Sequence, residues 1–234
     1  MAALDCPVCA ACGERIPAGR AAHSEFAEYC FSCSQERPAF TRAAAYGSYD
    51  EGMRDLIHLL KYQRVRPAAS VLGRMLAEAI ATLSPEFSGD PVVIPVPLHV
   101  SKLRQRGFNQ SELIARAALK LHAAGLTGKP NVSVLVRQRN TVSQTGMTPA
   151  QRRENVRGAF AVVRPADIAG RDVMLVDDVM TTGTTVSECA RVLRRAGAER
   201  VFVATVARVL KPEAERVTVI PEQEVRPYAL AAHA

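Results

Sequence analysis

One stretch restricts the architectures open to this chain more than any other. Residues 173–185 read Val-Met-Leu-Val-Asp-Asp-Val-Met-Thr-Thr-Gly-Thr-Thr: an apolar run of strand character, two adjacent carboxylates, then a hydroxyl-rich turn opening a helical pattern. A strand that passes its chain straight into a helix is the unit of open α/β sheets, which place ligands at the carboxyl ends of their strands. Each part has a chemical use. Asp177 and Asp178 can accept hydrogen bonds from the vicinal hydroxyls of a sugar. Across Thr181, Thr182, Gly183, Thr184 and Thr185, backbone N–H groups, hydroxyls and the positive end of a helix dipole can wrap a phosphate. Together they would grip a ribose 5-phosphate at both ends. The plainer alternative is a capped helix start beside stray acids. Rival phosphate motifs fit badly, since the chain has neither G-x-x-x-x-G-K-[ST] nor G-x-G-x-x-G.

The rest of the main body repeats the strand-helix rhythm. Apolar runs bounded by breakers predict strands at 43–49, 92–96, 132–136, 159–163, 173–176 and 201–206. Between them, Met53, Leu56, Ile57 and Leu60, then Val71, Leu72, Met75, Leu76, Ala79, Ile80 and Leu83, recur at helical spacing. Further helices are expected at 109–122 and 185–196, the second ended by Gly197. Nearly continuous Val/Leu/Ile runs, rather than alternation, imply a mostly parallel central sheet covered on both faces.

A second constellation follows the strand at 92–96. Pro97 and Leu98 lead into Lys102, Arg104 and Arg106, three cations alternating within five residues before Gly107. Read as a basic loop between a strand and a helix N-terminus, it is suited to a pyrophosphate. A solvated basic loop is its bland reading.

Five of the six cysteines precede residue 34. The N-terminus lacks a basic region followed by an apolar run, and no stretch reaches the ~18 apolar residues of a membrane span, so a cytoplasmic protein without membrane insertion is expected. Thiols stay reduced there, and a chain of this length builds a core without disulfides. Cys9-x2-Cys12 and Cys30-x2-Cys33 therefore point to a four-thiolate Zn2+ ribbon, with Gly13 suiting the turn of the first knuckle. Cys6-x2-Cys9 is an alternative first knuckle, and His23 a possible substitute ligand; Gly13 and the terminal place of Cys6 favour Cys9 and Cys12. Cys189 stands alone in a helical pattern and reads as a small core residue. The expected units are a ribbon over 1–40, the α/β domain over 41–210 and a loosely attached tail over 211–234 with a weak strand candidate at 217–220. Ribbon and domain are expected to have separate cores.

Thirty Lys and Arg against 23 Asp and Glu give a formal charge of +7, which favours polyanionic partners. Arg15, Arg20, Arg37, Arg42, Lys61, Arg64 and Arg66 are candidates for a surface that tracks a nucleic-acid backbone. The 5% aromatic content and absence of Trp leave few stacking platforms for single strands.

The 173–185 run resembles, at every position, the ribose-phosphate signature of type I phosphoribosyltransferases. The run Pro95-x-Pro97-Leu98-x3-Lys102-Leu103-Arg104-x-Arg106-Gly107-Phe108-Asn109-Gln110 narrows the resemblance to the ComF family, which joins a Cys-x-x-Cys-Gly…Cys-x-x-Cys segment to such a domain. Similar pieces occur at Leu60-Lys61-Tyr62, from Arg137 to Thr145 and from Arg152 to Phe160, so the match spans about residues 9–206. The resemblance implies the type I phosphoribosyltransferase fold and binding of phosphoribosyl pyrophosphate with Mg2+. It assigns the ribose-phosphate to Asp177, Asp178, Val179, Met180 and 181–185, and pyrophosphate to Pro97, Leu98, Lys102, Arg104 and Arg106. It also implies a mobile lid, for which 138–151 is the candidate. Single-stranded DNA and competence proteins are the partners it suggests, in the uptake and processing of transforming DNA. Two functions follow: a phosphoribosyltransferase with unidentified acceptor, or a ligand-responsive DNA-handling module that keeps the pocket without turnover. No side chain in the sequence is an obvious general base.

Overall fold

The structure, a computed structural model, describes residues 7–16, 28–126, 128–141 and 146–210. Cys6, Arg20, His23 and the strand candidate at 217–220 lie outside the described residues, as does part of the lid candidate. In chain order the elements are α1 (Phe31–Gln35), β1 (Arg42–Ser48), α2 (Glu51–Lys61), α3 (Ala68–Leu83), β2 (Val92–Pro95), α4 (Val100–Arg106), α5 (Gln110–Lys120), β3 (Leu135–Arg137), α6 (Pro149–Val156), β4 (Phe160–Val162), β5 (Asp172–Met180), α7 (Thr184–Arg195) and β6 (Arg200–Arg208).

Four strands form a wholly parallel sheet in the order β1-β6-β5-β2. Its apolar runs are continuous because alternate side chains enter two different cores. On β5, Val173 and Leu175 face one side and Met174 and Val176 the other; on β6, Val201 and Val203 oppose Phe202 and Ala204. All eight are completely buried.

Helices α2, α3 and α5 cover one face. Leu72, Leu76, Ile80 and Leu83 of α3 are fully buried, each contributing roughly 1.5–3 kcal/mol of apolar burial. The α3–α5 crossing is close enough to demand glycine: a Cβ on Gly73 would lie 2.4 Å from the Ala117 Cβ.

The opposite face is covered by α7, by the cysteine ribbon and by apolar residues of β3, β4 and α6, among them Leu135, Val156 and Phe160. The expectation of separate cores is not met. Cys9, Ala11, Cys12, Ile16, Cys30 and Cys33 belong to the same apolar cluster as Ile94, Leu175, Val203 and Leu193. The reason is width. Four strands at about 4.8 Å span roughly 14 Å between outer axes, and a helix with its side chains is only about 10–12 Å across. One helix leaves sheet uncovered, and the ribbon together with the β3–β4 pair fills that space. Backbone bonds join the two, with the Ala43 N–H donating to the Ala11 carbonyl at 2.7 Å.

Two expectations change. The strand candidates at 132–136 and 159–163 shorten to β3 and β4, which pair antiparallel with each other outside the main sheet and carry α6 between them. The basic segment at 100–106 is a helix, not a loop: Lys102-Leu103-Arg104-Gln105-Arg106 are all good helix formers. His99 caps it, accepting from the Ser101 N–H. Among the described residues no helix is long and apolar enough to cross a membrane.

Candidate functional site

Strand β5 runs four residues past Val176 and so carries both acids within paired strand, Asp177 opposite Thr205 of β6. The N-terminus of α5 reaches them from the neighbouring strand connection. Asn109 anchors that helix start, its side chain accepting from the Ser111 N–H at 3.1 Å and donating to the Val96 carbonyl at 3.0 Å. Ser111 Oγ then donates to Asp177 Oδ1 at 2.9 Å, and Gln110 Nε2 reaches Asp178 Oδ1 at 3.5 Å. The Asp178 N–H donates to Asp177 Oδ1 at 2.9 Å.

The remaining partner is Lys61, the last residue of α2, whose ammonium pairs with Asp178 Oδ2. That oxygen makes no hydrogen bond of good geometry besides this ion pair. Burial and the neighbouring Asp178 charge push the Asp177 carboxyl up to about 7. Burial also works against ionised Asp178, but Lys61 outweighs it and holds the carboxyl below its ordinary value. For Lys61 burial is likewise opposed, and overcome, by Asp178. Two adjacent acids thus differ in charge near neutral pH because one owns the lysine.

The turn at 181–184 follows immediately. Gly183 caps α7 with φ of +76°, a left-handed conformation that favours glycine. Thr182 and Thr184 hydroxyls lie 2.7 Å apart, and the first turn of α7 has no acid to cancel its dipole. Val179 packs among α2, α3 and α5 and Met180 is 2% exposed on the ribbon side, so a ligand in the turn meets them through backbone.

Of the expected pyrophosphate residues, Pro97 and Leu98 are half-buried just beyond β2. Lys102, Arg104 and Arg106 stand on α4, where spacings of two residues put Arg104 on the side away from the other two. Arg106 alone leads toward the acids, donating to Gln110 Oε1 and lying 5.7 Å from the Tyr62 ring. Sequence reasoning placed Lys61 on a nucleic-acid surface; it is spent on Asp178, and Arg42 on Glu86. Gln110 stands in the sequence only as the end of the Pro95–Gln110 run and Ser111 carries no role there; their proximity to the acids, across 68 and 66 residues, has no signature in one sequence.

Cys9, Cys12, Cys30 and Cys33 are all buried, with sulfurs within 4.8 Å of one another and Cys12 Sγ 3.6 Å from Cys30 Sγ. Tetrahedral Zn2+ with bonds of ~2.3 Å sets its thiolates just under 4 Å apart, so the donor set fits one Zn2+. Gly13 makes the expected turn at φ of +70°, its N–H donating to the Cys9 carbonyl. The ribbon is tied to the end of β6 by Arg208, 6% exposed, which donates to the Cys12 carbonyl at 2.6 Å and to Glu14 Oε2 at 2.9 Å.

A family model described as a phosphoribosyl transferase domain matches residues 111–225. Competence protein F of Haemophilus influenzae is 30% identical over 206 residues, covering 86% of this chain and 85% of its own. DNA utilization protein YhgH of Escherichia coli O6:H1 is 33% identical over 212 residues, covering 89% and 87%. An amidophosphoribosyltransferase of Saccharomyces cerevisiae is 28% identical over 77% of this chain but only 33% of its own. With a strand, acid pair and hydroxyl turn of the phosphoribosyltransferase kind and a four-cysteine ribbon ahead of them, the chain belongs to the family of competence protein F and YhgH, the ComF family.

Proposed function

We propose that the chain binds phosphoribosyl pyrophosphate and transfers its phosphoribosyl group, in the cytoplasm, as part of the handling of single-stranded DNA. The observation that carries this reading is the acid pair: two carboxylates at the end of a parallel strand, oriented by Ser111, Gln110 and Lys61, one residue-pair away from a phosphate-sized turn. In this reading Asp178, ionised, accepts from one ribose hydroxyl, and Asp177 from the other. The 181–185 turn holds the 5-phosphate, and the backbone after Val96 with Arg106 faces the pyrophosphate. Mg2+ is held by one or two carboxylates together with phosphate oxygens; Asp177 and Asp178 fit that donor type, although Lys61 already covers one oxygen. The chemistry it would supply there is neutralisation of charge on the pyrophosphate. The chain's own contribution is position and charge: it fixes the sugar at both ends while the acceptor supplies the nucleophile.

A second reading, a ligand-responsive module without turnover, draws support from Lys61, whose cation sits where the acids would otherwise be open to ligand and must yield or share. Names of the relatives and the net charge of +7 support the DNA setting of both. Release of pyrophosphate, measured against a panel of bases, amines and single-stranded DNA, tests the first; binding by calorimetry with no release against any acceptor selects the second. Absence of binding sinks both.

A further inference from the structure

A cleft of about 570 Å3 opens beside the phosphate turn, between the ribbon and α6. Its floor is apolar, formed by Phe40, Val156 and Met180, and Arg37 and Arg153 stand exposed at its edge. The volume is that of a site for a nucleotide-sized ligand. A ligand ending in a free 5-phosphate would stop at the turn and leave this chamber unused.

The chamber is tied to the turn from two sides. Arg208, bound to the ribbon, is the register partner of Met180, the residue before Thr181. The Val209 N–H donates to the Met180 carbonyl at 3.0 Å. On the ribbon's exit the Ala39 N–H donates to Ser187 Oγ at 3.1 Å in the first turns of α7, and Phe40 packs beside Gly183.

Charge says what the chamber holds. Arg191 is committed to Glu188 through two bonds of 2.7 Å, Arg208 to Glu14, and Arg157 lies 3.9 Å from Glu154. Glu36 also borders the cleft. Among the described residues Arg37 and Arg153 have no ion-pair partner. The Arg37 guanidinium carbon lies 3.1 Å from the Tyr29 ring centroid, a cation–π contact that holds this cation at the edge of the cleft. Apolar floor, planar cation and uncommitted arginines are the combination that binds base, sugar and phosphate of a single strand.

We propose that this cleft is a subsite continuous with the phosphate turn, and that it receives the penultimate nucleotide of a single-stranded nucleic acid whose 3′-terminal sugar lies on the acid pair. The inference rests on the reading above, in which 181–185 hold a 5′-phosphate; here that phosphate is a diester and the strand continues past it into the cleft. A second basic groove, about 540 Å3 between α3 and α5 with Arg66, Arg74, Arg116 and Lys120, lies apart from the turn and supplies the competing location.

The test uses the zinc-loaded full chain with adenosine 5′-monophosphate, the trinucleotide ApApA and ApApA carrying a 3′-phosphate, alongside phosphoribosyl pyrophosphate. ApApA should bind at least about tenfold tighter than the mononucleotide, compete with phosphoribosyl pyrophosphate, and lose that competition when its 3′ end is blocked. Arg37→Glu/Arg153→Glu should erase the tenfold gain and leave phosphoribosyl pyrophosphate within about twofold of the parent; Arg37→Gln/Arg153→Gln, with an unchanged melting temperature, guards against misfolding. Equal affinity for ApApA and the mononucleotide would overturn the inference. So would a gain that survives the Arg37/Arg153 change and disappears instead in Arg74→Glu/Lys120→Glu. Failure of the parent to bind phosphoribosyl pyrophosphate would sink the proposed function, and a gain that still follows Arg37 and Arg153 would then remain as evidence for the cleft.

Discussion

The two faces of the central sheet are buried equally well and by different means. One is covered by three helices whose apolar stripes are written in their own sequence. The other needs α7 plus a ribbon whose interior is four sulfur atoms. Folding of a helix-covered face depends on hydrophobic area. Folding of a ribbon-covered face would depend also on a metal held by the four cysteines, because four thiolates crowded within 4.8 Å repel one another unless a cation holds them. With a metal on those thiolates, the part of the core that the ribbon supplies would be conditional on it, and that part adjoins the 181–184 turn.

The sharpest way to break this comparison is Cys30→Ala. Were the ribbon a separate unit, its loss would leave the main domain melting as before. With a shared core, loss of metal should open the apolar cluster that the ribbon joins beside β1 and the end of β6, lowering stability by about 3–5 kcal/mol and the melting temperature by about 10 °C or more. Metal content and calorimetric melting, with and without a chelator, check it. A metal-free variant whose main transition does not move would restore two independent cores.

Arg208 tests the seam between the halves. Arg208→Met leaves Glu14, 5% exposed, as a buried charge without its partner, at a cost of about 3–5 kcal/mol. Adding Glu14→Gln should recover most of the loss while the Cys12 carbonyl stays unpaired. Denaturant unfolding of the single and double variants reads the difference; no recovery would mean that Arg208 acts through Cys12 alone.

Next in size is the acid pair. Asp178→Asn alone strands the Lys61 ammonium, so a clean test pairs it with Lys61→Met. Losing both acids should weaken phosphoribosyl pyrophosphate binding by about two orders of magnitude, since hydrogen bonds to charged groups contribute about 1.5–3 kcal/mol each. The two acids also predict a pH response of known sign. Asp177 is raised to about 7 in the folded chain, so its contribution to stability is complete below the ordinary carboxyl value and is lost as pH rises through 7. Ligand hydroxyls need the ionised form, so affinity should rise over the same window. Asp177→Asn should flatten both profiles; a melting curve whose pH dependence survives the change assigns the titration elsewhere.

Much of this was legible because it is contiguous. Residues 173–185 hold strand, acids and turn in one run, and the knuckles of the ribbon are each four residues long. What lay hidden depends on contacts between distant segments: Ser111 meets Asp177 across 66 residues, and Arg208 meets Cys12 across 196. Lys61 looked like any helix-terminal cation until the fold set it against Asp178. The helix at 100–106 is obscured by its charge density, which suggests a loop although Lys102 to Arg106 all favour helix. β3 and β4 were visible as apolar runs, but nothing in a run of three residues announces an antiparallel pair outside the main sheet.

The smallest effect belongs to the helix-covered face, and it tests whether that face is packed as tightly as the ribbon-covered one is tied. Gly73→Ala would place a methyl group 2.4 Å from the Ala117 Cβ, far inside contact distance, so α3 and α5 must part. Overpacking of this kind costs about 1–3 kcal/mol. Both helices carry buried stripes on either side of the crossing, including Leu72, Leu76, Ile114 and Ala118, and these limit how far they can separate. Ala117→Gly in the same chain should return part of the loss, less the helix propensity of about 1 kcal/mol that a second glycine forfeits. Metal content should not change in either variant, because the strain lies on the far side of the sheet from the ribbon. Chemical denaturation together with zinc analysis separates the outcomes. A Gly73→Ala protein that sheds its metal would show that strain crosses the sheet and that the two faces do not fold on separate terms.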